Sequence, residues 1–62
     1  MFAQKIRELR LARNLSEAAL DESLGLLHGT VVNWEHGFSF PEDELIDDIA
    51  AYFRIRRSEL VA

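Results

Sequence analysis

Apolar residues recur along this chain at helical spacing, and no segment shows the apolar/polar alternation of a strand. Phe2, Ile6 and Leu9 stand at i, i+4 and i+7, a stripe that predicts a first helix running to about Arg13. Asn14-Leu15-Ser16 interrupts it, and the Ser16 hydroxyl suits an N-cap, so a second helix is expected from about Glu17 to Leu24. Gly25 supplies the left-handed position that closes such a helix. A third helix is expected from about Leu27 to Glu35, burying Val31 and Trp34 and ending at Gly37. Phe38-Ser39-Phe40-Pro41 reads as an ordered loop before a fourth helix, about Glu42 to Phe53. Its stripe is Leu45, Ile49 and Phe53, flanked by Ile46, Ala50 and Tyr52. A last turn around Ser58–Val61 brings Leu60 to the core. The fold class is all-α, with four or five short helices.

Length and composition narrow the function. Sixty-two residues make one domain, 1–62, and such a chain buries only about 60% of its unfolded surface. Without cysteine there is neither a disulfide framework nor a thiolate metal site. No run reaches the ~18 apolar residues of a membrane span and no signal-peptide pattern occurs, so the expected setting is cytoplasmic, away from membranes. His28 and His36 lie too far apart along one helix to share a metal ion, and no third ligand is positioned. No glycine-rich phosphate loop or nucleophile motif is present, and Glu35-His36 makes no acid–base set. The expectation is a non-enzyme without cofactor or metal.

The net charge of −4 conceals a segregation. Residues 1–13 carry Lys5, Arg7, Arg10 and Arg13 against Glu8, and residues 54–62 carry Arg54, Arg56 and Arg57 against Glu59. Between them, residues 14–53 hold nine acids (Glu17, Asp21, Glu22, Glu35, Glu42, Asp43, Glu44, Asp47 and Asp48) and no lysine or arginine. The Asp43/Asp47 and Glu44/Asp48 pairs repel at i, i+4. Such a stretch bears directly on polyanion binding.

Ile6-Arg7-Glu8-Leu9-Arg10, Leu15-Ser16, Leu20, Leu24-Gly25-Leu26, Thr30-Val31, Trp34-Glu35, Gly37 and Pro41, with Ile55 and Ser58-Glu59-Leu60, together resemble the phage Cro and repressor type of helix-turn-helix domain. The resemblance covers nearly the whole chain and implies a compact, lambda-repressor-like five-helix fold. It also implies an internal ion pair between Arg10 and Glu35, and operator DNA bound with the third helix in the major groove. Carried over by position, Glu17 stands where the family has a phosphate-holding glutamine. His28, Gly29 and Asn33 take base-reading places, with Leu27 and Val32 beside them. His36, Phe40 and Asp43 fall where loop and fourth helix approach the DNA backbone. Asn33 and His28 suit base edges, whereas Gly29 can read nothing.

The departures from the family pattern cluster on that face. Glu17 and Asp43 would turn carboxylates toward phosphates. Leu27 replaces a small polar cap for helix three, and Val32, Phe38 and Phe40 add apolar surface nearby. One of Phe38 and Phe40 is expected to fold back onto helix four. Asp21 occupies a position the family keeps small, where it either distorts helix two or turns outward. On charge, the favoured reading is a regulator acting by protein contact, as an anti-repressor, co-regulator or dimerising partner of a DNA-binding protein. Leu27, Val32, Phe38, Phe40 and Asp43 would carry that contact, with DNA binding weak or lost. The alternative is an operator-binding repressor that reads DNA through residues 27–36, using the arginines at both ends of the chain. A scaffolding or homodimerising use, on apolar surface near Phe40 and Leu60-Val61, is a third reading.

Overall fold

The computed structural model describes residues 1–61, which form α1 (Phe2–Ala12), α2 (Glu17–Ser23), α3 (Thr30–Glu35), α4 (Asp43–Phe53) and α5 (Arg57–Leu60). Among the described residues there is no strand. The helix ends follow local chemistry. Ser16 caps α2, its Oγ accepting the Ala19 N–H at 3.0 Å. Gly25 and Gly37, both at positive φ, follow the C-caps of α2 and α3. At the end of α4 the left-handed residue is Arg54, with φ 58° and ψ 44°.

Every helix contributes to one core. Phe2 and Ile6 of α1 meet Leu20 of α2, Val31 and Trp34 of α3, Ile46, Ile49, Ala50 and Phe53 of α4, and Leu60 of α5. Phe2 meets Trp34 edge to face with ring centroids 5.8 Å apart. On α4 the buried face centres on Ile46, Ile49, Ala50 and Phe53, while Leu45 and Tyr52 lie at its margin. Ile49 and Phe53 of the expected stripe are buried, and Ile46 takes the place expected of Leu45. Leu60 is fully drawn into the core, so the apolar surface expected at Leu60-Val61 is reduced to a half-buried Val61.

The loop before α4 also differs from expectation. Neither Phe38 nor Phe40 folds onto helix four; they remain 77% and 60% exposed. Phe40 instead meets Phe2 of α1 edge to face at 5.0 Å, and Phe38 stacks on His36 at 5.5 Å. Pro41 is buried where the loop enters α4.

Candidate nucleic-acid interface

Two short helices and a glycine turn build the candidate surface. The turn closes where the Leu26 N–H donates to the Asp21 carbonyl at 2.8 Å. Helix α3 begins at Thr30, three residues later than its apolar spacing suggested. Leu27 offers no capping oxygen and points into solvent, and Gly29 holds φ +95°, which ends any helical path from residue 27. That conformation is the reason for glycine there, since a Cβ would meet nothing within 4 Å.

Asp21 supplies what Leu27 lacks. It neither distorts α2 nor turns outward; it points inward, with 2% of its surface exposed. Its Oδ2 accepts the Gly29 N–H and its Oδ1 the Val31 N–H, each at 2.8 Å. A carboxylate at a helix start satisfies otherwise unpaired donors and complements the positive end of the helix dipole. The Thr30 hydroxyl and N–H both donate to the Leu27 carbonyl, at 2.7 and 3.1 Å.

The far end of α3 is held by α1. Arg10 Nε donates to Glu35 Oε2 at 2.7 Å and Nη2 to Oε1 at 3.0 Å, while Nη1 donates to the Leu15 carbonyl at 2.7 Å. Both side chains are buried, at 9% and 2% exposure. The hydrogen bond to Glu35 holds Arg10 above the ordinary arginine range, against the opposing pull of burial, with weaker Coulombic help from Glu35 and Glu17.

The remaining expected site residues are distributed as follows. His28, Asn33 and His36 are exposed, and Gly29, Thr30 and Val32 are half-buried. The His36 Nδ1 lies 2.8 Å from the Val32 carbonyl. Glu17 opens α2, half-buried. Leu27 lies before α3 and Phe38 and Phe40 lie after it. Phe38 and Phe40 line an open apolar cleft with Met1, Phe2 and Trp34, whereas Leu27 and Val32 do not line it. The expected apolar contact face is therefore divided.

Asp43 has a partner inside the chain. Arg57 of α5 places Nη2 2.7 Å from Asp43 Oδ1 and Nη1 2.8 Å from Asp47 Oδ1. The repulsion between those carboxylates is thus relieved by an arginine that sequence alone assigned to the charge of the C-terminal arm. Hydrogen bonds from Arg57 to Asp47 and Asp43 raise the guanidinium above its ordinary range. Arg13 lies over the Tyr52 and Phe53 rings, 5.2 and 5.0 Å from their centroids. Lys5, Arg7, Arg54 and Arg56 form no ion pair among the described residues.

The Helix-turn-helix family pattern matches residues 6–60. The chain belongs to that family. This helix-turn-helix protein is 31% identical over 62 residues to the cryptic phage CTXphi transcriptional repressor RstR of Vibrio cholerae, covering 100% of this chain and 56% of that protein. It is 30% identical over 61 residues to the HTH-type transcriptional activator BcrR of Enterococcus faecalis, covering 98% of this chain and 30% of that one. The chain therefore spans about half of the first relative and under a third of the second. No solved structure gives a significant match. The family is one of non-enzymatic transcription regulators. Among the described residues no helix is long and apolar enough to cross a membrane, and no group of three metal-ligating side chains converges.

Proposed function

We propose that this protein is a transcription regulator that recognises operator DNA by laying α3 in the major groove. The observation that carries the reading is the presentation of α3. Its start is held by Asp21 and its end by Arg10, while His28, Asn33 and His36 point outward between and beside those two anchors. Asn33 can bond adenine through N6 and N7, His28 can donate to or accept from a base edge, and the Val32 side chain suits a thymine methyl. The names of the two relatives, a repressor and an activator, weigh for operator binding over protein contact alone.

The charge map sets the manner of binding. Arg10 and Arg57 are engaged internally, and Glu17 and Asp43 stand at positions that resemblance to the family turns toward phosphates, so phosphate attraction rests on Lys5, Arg7, Arg13, Arg54 and Arg56. A surface this poor in cations binds bulk DNA weakly and depends on base contacts for discrimination. A second copy on an adjacent half-site would add contacts without further charge per chain. The setting is the interior of the cell, where the DNA is.

The test is selection from a random-sequence duplex library, followed by titration of Asn33→Ala on the enriched duplex. A recurring sequence should emerge, with the variant weakened by ~1–3 kcal/mol at one base position. A library that yields no recurring sequence overturns the reading.

A second reading has its own observation: Phe38, Phe40 and Leu27 are exposed on an acidic molecule. Those residues, with Val32 and Asp43, would then capture a basic regulator or another copy of the chain. Phe40→Asp should abolish capture of that partner in a folded domain. Retained capture removes the cleft as the anchor.

A further inference from the structure

We propose that Asp21 is the positioning residue of the reading surface: its buried carboxylate, reaching from α2, sets where α3 starts and how His28, Val32 and Asn33 are presented. The proposal rests on operator recognition by α3 for its functional consequence, and on hydrogen bonds alone for its structural one.

A carboxylate at 2% exposure is costly to keep unless its charge is met. Asp21 forms no ion pair among the described residues. Its compensation consists of the Gly29 and Val31 N–H groups, one on each oxygen at 2.8 Å, and the positive end of α3. Its own carbonyl takes the Leu26 N–H. One residue of α2 therefore fastens the turn and both ends of the entry into α3.

Position 27 is the other half of the arrangement. A hydroxyl there could accept the Gly29 N–H two residues on, independently of α2, though not the Val31 N–H. Leucine cannot, so orientation of the reading helix passes to a side chain on its neighbour. The two departures from the family pattern, Asp21 and Leu27, compensate each other. Because the anchor crosses between helices, it fixes the angle between α2 and α3 as well as the first turn of α3. The donors it holds lie on either side of Thr30, directly after His28 and before Val32 and Asn33.

The experiment combines residue-resolved amide exchange with affinity for the library-selected duplex and for mixed-sequence duplex, on wild type, Asp21→Ala, and Asp21→Ala combined with Leu27→Ser. In Asp21→Ala, protection at Gly29 and Val31 should fall by about tenfold more than at core amides of α1 and α4. The ratio of selected to mixed-sequence affinity should fall by about tenfold, since displaced base contacts cost discrimination more than bulk attraction. Leu27→Ser should recover protection at Gly29 but not at Val31, and with it part of the affinity ratio, since a local hydroxyl reaches only the nearer amide. Unchanged relative protection at Gly29 and Val31 overturns the proposal, as does an unchanged affinity ratio. Should Asp21→Ala not fold, Asp21→Asn serves: one acceptor oxygen remains, so only one of the two amides should lose protection. If wild type selects no sequence, the operator reading falls, and exchange at Gly29 and Val31 still decides what Asp21 does.

Discussion

Arg10 and Glu35 form a two-pronged ion pair across the core, with contacts of 2.7 and 3.0 Å, that joins α1 to the end of α3. The third arm of the guanidinium, on the Leu15 carbonyl, also ties in the chain between α1 and α2. Removing one partner leaves the other buried and unpaired, which typically costs about 3–5 kcal/mol. Arg10→Ala should therefore lose most of the stability of so small a domain in urea or thermal melts. Arg10→Met with Glu35→Leu should recover much of it. An unchanged melting temperature in Arg10→Ala would show that the pair contributes nothing.

The pH behaviour of the two paired arginines follows from the direction of their shifts. Both are raised in the folded state. Their contribution is then fully present below the ordinary arginine value and is lost only as pH rises through the raised one. Titration of these two cations should leave stability flat near neutrality. Any slope seen there belongs to other groups, and the slope of an Arg57→Ala variant should match wild type across that range.

Arg57 joins α5 to the first two turns of α4 through Asp43 and Asp47. The pair is exposed, so its effect should be modest and screened by salt. Arg57→Ala is expected to lower the melting temperature by restoring the repulsion between those carboxylates, with the deficit narrowing as salt is added. A deficit independent of salt would mean that the arginine acts by packing its stem.

Arg54 offers a way to stabilise the fold. It sits at φ 58° without being glycine, a conformation that costs an ordinary residue about 1 kcal/mol or more. Arg54→Gly should raise stability by about 0.5–1 kcal/mol, the gain being reduced by the larger entropy of the unfolded glycine chain. A loss on chemical denaturation would show that the Arg54 side chain is held in place.

Glu17 lies at the start of α2, the position that resemblance to the family assigns to a phosphate-holding glutamine. Glu17→Gln removes a like charge while keeping the shape, so it should strengthen binding to selected and mixed-sequence duplexes alike, severalfold at low salt. A gain confined to the selected sequence would place Glu17 at a base, and no gain would move it away from the DNA.

Much of this arrangement was legible from local spacing. Phe2 and Ile6, Val31 and Trp34, and the Ile49–Phe53 turn announce themselves by helical repeat, and Ser16, Gly25 and Gly37 by the backbone conformations they favour. Arg10 with Glu35 came from family resemblance, not from spacing. The illegible parts are side chains whose partners lie in another helix. Asp21 reads as a misfit in α2 until Gly29 and Val31 are seen above it, and Arg57 reads as free charge until it meets Asp43 and Asp47. The start of α3 was missed for the same reason, since the carboxylate that determines it lies eight and ten residues upstream of the amides it binds. Phe38 and Phe40 are illegible for the same reason, since the rings they meet, His36 and Phe2, lie outside helix four.

The most direct measurement is fluorescence anisotropy of the library-selected duplex and a mixed-sequence duplex, each titrated at about 50 and 200 mM salt. With Lys5, Arg7, Arg13, Arg54 and Arg56 in no ion pair among the described residues, the slope of log affinity against log salt should be no steeper than about −5 per chain. The selected duplex should be preferred by about a thousandfold or more at the higher salt. Absence of binding to either duplex at about 50 mM salt, with protein in the tens of micromolar, would contradict operator recognition and leave the acidic face to a protein partner.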